Sequence, residues 1–474
     1  MSLRWINIIC FTLTVCLNSY CQEAFFMTGL LPDDGTYDQL ERKNDLLTRD
    51  YTVLPCAYSL YKYCPVVKSQ SQYGTCTSWA TAYAARTIAE AVKYGWTDKA
   101  KITGEAFSPL FVYALIKDRY SYDTDCQEGT SIHKALQLMK DRGVPKFSSF
   151  SVLCANHISD ELILKAKPFR IDDYFTLFSI TCVDASEKIR KVKKALSEDC
   201  PVVIAMHIPY SFFYAEQTWN GKDVDPTKHG YHAMCVIGYD DTMQGGAFQI
   251  MNSWGTDWGE NGFVWVKYNE FAKYVDQAYE IYVNKESPKP YNVDDEKPIH
   301  LAGQITMQLS TGETMKGTLQ PVEGINRYKL TDSYISGTRY RLYISNNEPA
   351  YVYVLGSDLT GNVGKVFPPT DKISAALTYK SNNIAIPDER YYIEMDNTQG
   401  TDYMCVLYSK YALDINAIII KMQSLTGSFY NKLQTALGSK MIDTNEIYCS
   451  KNMITFQAQS KHSVVPVVVE IPHK

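Results

Sequence analysis

The sequence predicts an α+β fold for the first half of the chain and an all-β, sandwich-like domain for the second half. Two patterns carry this prediction. Small and apolar residues recur at helical spacing from Ala80 to Ala91, and Gly95 suits a helix end. Residues 339–344 (RYRLYI) and 351–355 (YVYVL) have strand-like composition and are separated by an Asn-Asn-Glu-Pro turn.

Composition places the chain among ordinary globular proteins. Its 474 residues are 45% hydrophobic and 21% charged, which argues against wholesale disorder, a coiled coil or collagen. A chain of this length suggests two or three domains. Basic residues number 47 against 52 acidic ones, a net charge of −5. Because there is no basic surplus, we expect no nucleic-acid partner.

The N-terminus has the pattern of an export signal. Arg4 is the only charged residue before Glu23, and residues 5–17 form an apolar run that is followed by a more polar end. The run is shorter than the ~20 residues that a membrane span needs. We predict a signal peptide over 1–21 and a secreted or periplasmic protein. Lipidation of Cys21, which would anchor the protein to a membrane, is the alternative.

The cysteine count does not define a disulfide scaffold. Of the 13 cysteines, three lie in the predicted signal peptide, so 13 − 3 = 10 remain. An exported chain can form disulfides, but ten cysteines are few for a chain of this length, and their pairing cannot be deduced from sequence alone.

A linker divides the chain near residue 290. Prolines at 288, 290 and 298 surround three consecutive acidic residues, a composition typical of a boundary between domains. We therefore predict an N-terminal extension over 22–54, a first domain over 55–286, a linker over 287–300 and a β-rich accessory domain over 301–474.

Cys76 is the first candidate for chemistry. The helical pattern that follows it places Cys76 in the first turn of a helix, where unsatisfied N–H groups and the helix dipole favour negative charge. Such a position lowers the pKa of a thiol, and the thiolate is the nucleophilic form. The alternative is a buried, inert cysteine, which is the usual fate of this residue.

Two further segments accompany the one around Cys76. Gln70 lies six residues before Cys76, Gly74 lies two residues before Cys76, and an aromatic residue follows shortly after the cysteine. The other segments are residues 228–240 (KHGYHAMCVIGYD) and 248–263 (FQIMNSWGTDWGENGF). Together the three resemble the papain-like cysteine peptidases: the second is similar to that family's histidine strand, and the third is similar to its asparagine segment almost residue for residue. The resemblance covers about 55–285 and implies a two-lobe papain-like fold with the active site between the lobes.

The resemblance assigns the catalytic roles. Cys76 would attack the scissile carbonyl, His232 would take the thiol proton and later protonate the leaving amine, and Asn252 would orient the imidazole. His232 and Asn252 flank a predicted hairpin, which would bring them together. The alternatives are His229 in place of His232, a His-x-x-His metal site that lacks an obvious third ligand, and a turn-forming role for Asn252.

Further residues complete the predicted site. Gln70 would donate its amide to the developing oxyanion. Trp254, counted with the substrate-binding residues, would shield the Asn–His contact from water. In the family a glycine backbone edge faces the substrate peptide, and this role would fall on Gly129. A helix N-cap at Thr130 or Ser131 is the alternative for that segment.

The sequence also departs from the family. Tyr73 stands where many relatives have a cysteine, so the matching disulfide cannot form, and Cys154 becomes a candidate partner for Cys126. Two residues separate Cys76 from Trp79, where many relatives have the tryptophan directly after the cysteine. The roughly thirty residues of 22–54 are too few for the family's helical inhibitory pro-region. Either the enzyme has no such inhibitor, or the C-terminal half controls it.

The second half resembles a β-rich module of unknown function that occurs in bacterial secreted and envelope proteins. The resemblance rests on residues 351–355, 367–369 and 400–409 and implies no activity. We expect a binding, docking or regulatory module, with an envelope or protein partner, or else a purely structural role.

The sequence thus predicts an exported bacterial cysteine endopeptidase that hydrolyses polypeptides through a Cys-His-Asn triad and a thioester acyl-enzyme. No metal or organic cofactor is implied. Exopeptidase activity would need a blocked end of the cleft, which the sequence does not reveal. The alternative from another class is a papain-like binding or scaffold protein of the cell envelope with weak or absent catalysis.

Overall fold

A computed structural model describes residues 27–44, 54–117, 125–221, 230–284, 298–358, 360–378, 383–388 and 391–474. The predicted signal peptide, His229 and most of the predicted linker lie outside the described residues. An α+β domain comes first and a β-rich region follows, so the predicted fold class is confirmed. Among the described helices, none has the length and apolarity that crossing a bilayer requires.

The helices of the first domain gather around one long run that begins at Cys76. Two α-helical ends of this run enclose a π-helical stretch, Trp79–Arg86, in which every residue is buried. The run ends at Gly95, whose φ of 62° is left-handed, and this confirms the predicted helix and its end. The α-helices in the described part of this domain are α1 (Asp34–Tyr37), α2 (Cys76–Ser78), α3 (Thr87–Tyr94), α4 (Lys99–Gly104), α5 (Pro109–Ile116), α6 (Ile132–Asp141), α7 (Asp160–Ala166), α8 (Ala185–Ser197) and α9 (Tyr268–Tyr274).

A mostly antiparallel sheet forms the other part of the first domain. Its described strands are β1 (Ala57–Ser59), β2 (Asp173–Thr176), β3 (Val202–Ile208), β4 (Thr218–Trp219), β5 (Gly230–Asp240), β6 (Ala247–Met251), β7 (Phe263–Lys267) and β8 (Val275–Tyr282). The order is β2-β8-β3-β5-β6-β7-β4, with β1 added on β5. Strands β5 and β6 form the predicted hairpin, in which Cys235 lies opposite Met251. Their buried side chains pack on the helical run in one continuous core.

The described residues of 298–474, called the module below, form a sandwich. Its described strands are β9 (Ile299–Leu309), β10 (Gly317–Leu319), β11 (Arg327–Leu330), β12 (Arg339–Asn346), β13 (Ala350–Ser357), β14 (Val363–Phe367), β15 (Ala376–Leu377), β16 (Ile384–Ile386), β17 (Ile393–Glu394), β18 (Gly400–Ser409), β19 (Ile447–Cys449), β20 (Ile454–Ser460) and β21 (Val464–His473). One sheet is centred on β21 and β18 and the other on β12 and β9. Apolar side chains of both sheets share a core. The turn between β12 and β13 therefore leads from one sheet to the other.

The module also contains two helices that the all-β prediction missed, α10 (Ile415–Ser424) and α11 (Phe429–Leu437). Asp414 caps the first of them by accepting a hydrogen bond from the N–H of Ala417. Ile415, Ile418 and Met422 recur at helical spacing and are buried. The signal was therefore present in the sequence, inside a region otherwise dominated by strand patterns.

The two domains are in contact along β2 and β8. Phe175 and Tyr282 of the first domain belong to the same buried apolar cluster as Tyr353 of the module. The hydroxyl of Tyr351 donates a hydrogen bond of 2.8 Å to Asp173. The module therefore packs on the edge of the first domain's sheet.

Candidate active site

Cys76 begins the helical run and is fully buried. Thr75 holds the N-cap position without a side-chain hydrogen bond to the helix. Cys76 Sγ accepts a hydrogen bond of 3.2 Å from the N–H of Gly29 and a second hydrogen bond from the N–H of Ala233. The sulfur is thus placed against β5, one residue after His232.

His232 and Asn252 are joined directly, as the predicted hairpin requires. His232 Nε2 lies 2.7 Å from Asn252 Oδ1, and both side chains are buried. Asn252 Oδ1 also accepts the backbone N–H of Ser253 at 2.7 Å, which identifies this atom as the carbonyl oxygen. Nε2 must therefore carry the ring proton that it donates.

The other ring nitrogen of His232 is the one left to act as a base. Nδ1 is buried and has no hydrogen-bond partner among the described residues. Because Nε2–H is committed to Asn252, the lone pair of the neutral ring is on Nδ1. The imidazole is stacked on the ring of Trp254, with centroids 4.6 Å apart. This stacking keeps the His–Asn pair away from solvent.

Gln70 is held in a single orientation by Ser253. The Ser253 hydroxyl donates a hydrogen bond of 2.6 Å to Gln70 Oε1. Gln70 Nε2 then donates to the carbonyl of Tyr73 at 2.8 Å and to the carbonyl of Met27 at 3.1 Å. The amide nitrogen therefore faces a peptide carbonyl, which is the orientation that an oxyanion donor needs.

The carbonyl at Gln70 belongs to the chain's own N-terminal segment, residues 27–44, called the strap below. The indole Nε1 of Trp254 also donates to Met27 O, at 3.3 Å. Beyond Gly29, Leu30 pairs in parallel with Thr130, through Thr130 N–H to Gly29 O at 2.8 Å and Leu31 N–H to Thr130 O at 3.1 Å. The strap thus fills the cleft beside the nucleophile.

At Gly29 the strap lies so close to the backbone of Gly74 that there is no room for a side chain. A Cβ placed there would lie 2.1 Å from the carbonyl oxygen of Gly74, which is backbone and cannot swing aside. The group that the strap aims at Cys76 Sγ is an N–H and not a carbonyl carbon. In this position the strap occupies the space beside the sulfur and presents an N–H group to it.

Burial sets the protonation states of the closed site. It raises the pKa of the Cys76 thiol, although the N–H groups of Ala233 and Gly29 act in the opposite direction. It lowers the pKa of His232 to about 4, and the hydrogen bond to Asn252 opposes this shift only in part. At neutral pH the closed site therefore holds a neutral thiol and a neutral imidazole.

The structure brings most of the predicted site residues together. His232, Asn252, Trp254 and Gln70 form one connected set through Ser253, and Cys76 contacts the backbone of β5 next to His232. Within the described residues, no sulfur–imidazole hydrogen bond joins Cys76 to His232, since Nδ1 is unpartnered.

Gly129 lies beside the strap, but the backbone pairing falls on its neighbour. The strap's two backbone hydrogen bonds in this region go to Thr130, while a Cβ at Gly129 would lie 2.9 Å from the side chain of Leu31. Ser131 takes the N-cap position of α6 without a side-chain hydrogen bond. The substrate-binding role of Gly129 stays a prediction.

The adjoining loop is held by the disulfide that the sequence suggested. Cys126 is bonded to Cys154. The carbonyl of Cys126 accepts the N–H of Gly74 at 2.7 Å, so this loop supports the segment that leads into the nucleophile. Among the described residues, no group of three His, Cys, Asp or Glu side chains is arranged to hold a metal ion.

Comparison with known families agrees with this geometry. The family model for the papain family cysteine protease matches residues 61–284. This part of the chain, just under half of its length, is therefore similar to the papain family cysteine proteases. A second model, for a domain of unknown function named DUF4384, matches residues 333–411 within the module.

Two curated relatives match this part of the chain at low identity. The chain is 26% identical over 229 residues to an uncharacterized peptidase C1-like protein of Acanthamoeba polyphaga mimivirus, covering 44% of this chain and 64% of that one. It is also 26% identical over 212 residues to a cysteine proteinase of Brassica napus, covering 44% and 57%. The chain thus spans between about half and two thirds of these relatives. Xylellain, a cysteine protease from Xylella fastidiosa, is 20% identical with a TM-score of 0.44, covering 54% of this chain and 96% of that structure.

Sequence reasoning missed two parts of the candidate site. Ser253 is adjacent to Asn252 in the recognised motif, so its contact with Gln70 could have been sought there. Phe213, in the short 3₁₀ helix Tyr210–Tyr214, stacks on Trp254 at 5.1 Å and extends the aromatic cover of His232.

The strap was the larger omission. Residues 22–54 were expected to be too few for the family's helical pro-region, and the contacts that the described part of this segment makes at the site were not foreseen. Met27 and Gly29 reach the oxyanion donor and the sulfur although the segment is short. No local pattern announces these contacts. Only the glycine at 29, which the close approach to Gly74 requires, is a signal in hindsight.

Proposed function

We propose that this protein is an exported cysteine peptidase and that the form described is its latent state. The single observation that carries the proposal is the His232–Asn252 hydrogen bond of 2.7 Å, which leaves a buried, unpartnered Nδ1 on the strand that contacts Cys76. A scaffold protein has no need to commit one imidazole nitrogen and keep the other free.

The proposed reaction assigns each group a step. Once the strap has left, the Cys76 proton passes to His232 Nδ1, giving a thiolate and an imidazolium. The thiolate attacks the scissile carbonyl carbon, and the negative charge that develops on oxygen is met by Gln70 Nε2–H and the N–H of Cys76, which as the first residue of a helix has no intrahelical acceptor. The imidazolium then protonates the leaving amine, and water releases the acyl group from sulfur, with His232 again acting as the base.

Latency follows from the strap's position. The N–H of Gly29 lies against Cys76 Sγ, where a substrate carbonyl would have to come. The carbonyl of Met27 accepts a hydrogen bond from Gln70 Nε2, which is the donor that a substrate oxyanion would use. Removal of these groups would also reduce the burial that raises the pKa of Cys76 and lowers that of His232. Opening of the strap therefore both clears the cleft and activates the nucleophile.

Export and endopeptidase action belong to the same proposal. The apolar run of residues 5–17 after Arg4 supports export to a secreted or periplasmic location. The cleft next to Cys76 accommodates an extended segment that continues on both sides of Gly29, as far as Met27 and Leu31. A polypeptide substrate that passes through the cleft would be cut internally.

Cleavage of an unfolded protein tests the proposal. In the full chain carrying Gly29→Ala, the added methyl group would collide with the backbone of Gly74 and displace the strap. This variant should degrade the substrate at least about tenfold faster than the wild type. Gly29→Ala combined with Cys76→Ala should be inert. If the Gly29→Ala chain shows no cleavage under reducing conditions, or if cleavage survives the loss of Cys76, the peptidase proposal is wrong and the scaffold alternative is favoured.

A further inference from the structure

The far end of the strap lies between the two domains. After α1, whose Tyr37 hydroxyl donates to the carbonyl of Phe178 at 2.7 Å, the chain reaches Arg42. Arg42 pairs in parallel with Thr176 on the papain-family sheet and also with Ile373 of the module. This short stretch thus acts as a strand that is bounded on one side by the first domain and on the other by the module.

Backbone hydrogen bonds connect this stretch to both sides. Toward the first domain, Thr176 N–H donates to Glu41 O at 3.0 Å and Lys43 N–H donates to Thr176 O at 2.8 Å. Toward the module, Arg42 N–H donates to Lys372 O at 2.7 Å and Ser374 N–H donates to Arg42 O at 2.8 Å. Departure of the module would leave the Arg42 groups without these partners.

Side chains strengthen the contact with the module. Asn44 is buried, and its Nδ2 donates to the carbonyls of Ser374 and Ala376 at 3.2 and 2.9 Å. Lys43 Nζ contacts the hydroxyl of Thr378 at 2.6 Å, while its charge pairs with buried Glu280 at 2.5 Å on β8. One lysine thus ties the strap to both domains.

We infer that the module serves as the clamp that keeps the inhibitory strap in the active-site cleft. The inference rests on the proposed function of the strap and adds a role for a domain to which no activity is assigned. The module packs on β2 through Tyr351 and Asp173 and holds residues 42–44 against that strand. A strap fixed at Arg42 remains close to the cleft, so Gly29 returns to Cys76 whenever it leaves. Loosening of the module lowers this local concentration and opens the site.

Hydrogen exchange at the cleft end of the strap tests the clamp. The full chain with Cys76→Ala, which cannot cleave itself, is the parent, and the measured segment is 27–37. One variant, Asn44→Asp, places a buried carboxylate against two module carbonyls. A second variant, Thr378→Val, removes the module hydroxyl that Lys43 contacts. The matched control is Asn347→Asp, which adds the same charge at an exposed position of the module.

We expect Asn44→Asp to accelerate exchange over 27–37 by about tenfold or more, and Thr378→Val to accelerate it by a smaller factor, with Asn347→Asp unchanged. Both substitutions lie more than five residues from the measured segment, so acceleration there reports release of the whole strap. If neither variant changes the exchange rate over 27–37 by more than about twofold, the first domain alone holds the strap and the inference that the module is a clamp is wrong. Because this readout needs no catalysis, it stands apart from the activity of the same variants with Cys76 restored, which tests the peptidase proposal.

Discussion

At the level of single residues, two amide side chains are each fixed in one orientation by Ser253. Its N–H donates to Asn252 Oδ1 and its hydroxyl donates to Gln70 Oε1. One serine therefore orients both the group that holds His232 and the group that would stabilise the oxyanion. It touches neither the sulfur nor the scissile bond in the proposed reaction and is a positioning residue.

Substitution of Ser253 by Ala should lower kcat by about tenfold with little change in KM, because the Gln70 amide stays present but loses its fixed orientation. The measurement is steady-state cleavage of a peptide by the Gly29→Ala chain with and without the substitution. Ser253→Thr, which restores a hydroxyl, should recover most of the rate, and the exposed Ser151→Ala should have no effect. A loss confined to KM, or no rescue by Thr, would argue against the positioning role.

The placement of the proposed catalytic residues was predictable because each lies in a local sequence motif. Cys76, His232 and Asn252 are each surrounded by several motif residues within a few positions, and the hairpin that joins the last two follows from strand periodicity. The contact between Gly29 and Cys76 spans 47 positions and depends on a missing side chain. No local pattern encodes such a contact.

At the level of elements, the loop between β6 and β7 places Asn252. The N–H of Asn252 donates to the carbonyl of Gly262 at 3.0 Å, so the two ends of the loop are tied together. Gly262 has a φ of 87°, and a Cβ there would lie 2.4 Å from Val67. The glycine is required by backbone conformation and by space at once.

Gly262→Ala should therefore destabilise the fold more than Gly245→Ala does. Gly245 has the same φ of 87° but nothing within 4 Å of its Cβ position, so it isolates the conformational cost. The β-branched Val67 is stiff, and we expect an additional loss of about 1–3 kcal/mol at Gly262. Urea unfolding of the two variants measures the difference. Equal losses would show that the contact with Val67 is relieved without cost.

Helices and strands were predicted where apolar residues recur at a regular spacing, and they were missed where that spacing is interrupted or confined to a few residues. The helix after Cys76 and strands β12 and β13 were predicted from the spacing of their residues. The π-helical stretch Trp79–Arg86 does not, because it depends on close packing of a fully buried run. Helix α10 was overlooked because its ten residues are set among strands.

At the level of the whole molecule, the strap contacts the candidate active site, the first domain and the module. It reaches from Cys76 to the module, and its Lys43 contacts Thr378 at a separation of 335 positions. Sequence reasoning raised the possibility that the C-terminal half controls the enzyme, but it could not identify the connection. Tertiary contacts at such separations are decided by how the domains pack.

The most direct test of a catalytic cysteine closed by the strap is the rate at which iodoacetamide alkylates Cys76, read by mass spectrometry at that residue. In the wild-type chain we predict that alkylation is slow at pH 7. Its rate should rise only above the pH at which an ordinary thiol ionises, because burial raises the pKa of Cys76. In Gly29→Ala the rate at pH 7 should be about 100-fold higher, since an opened thiolate–imidazolium pair replaces a thiol. Gly35→Ala, in the strap but with nothing within 4 Å, should match the wild type. Equal rates in the wild type and Gly29→Ala would contradict the account.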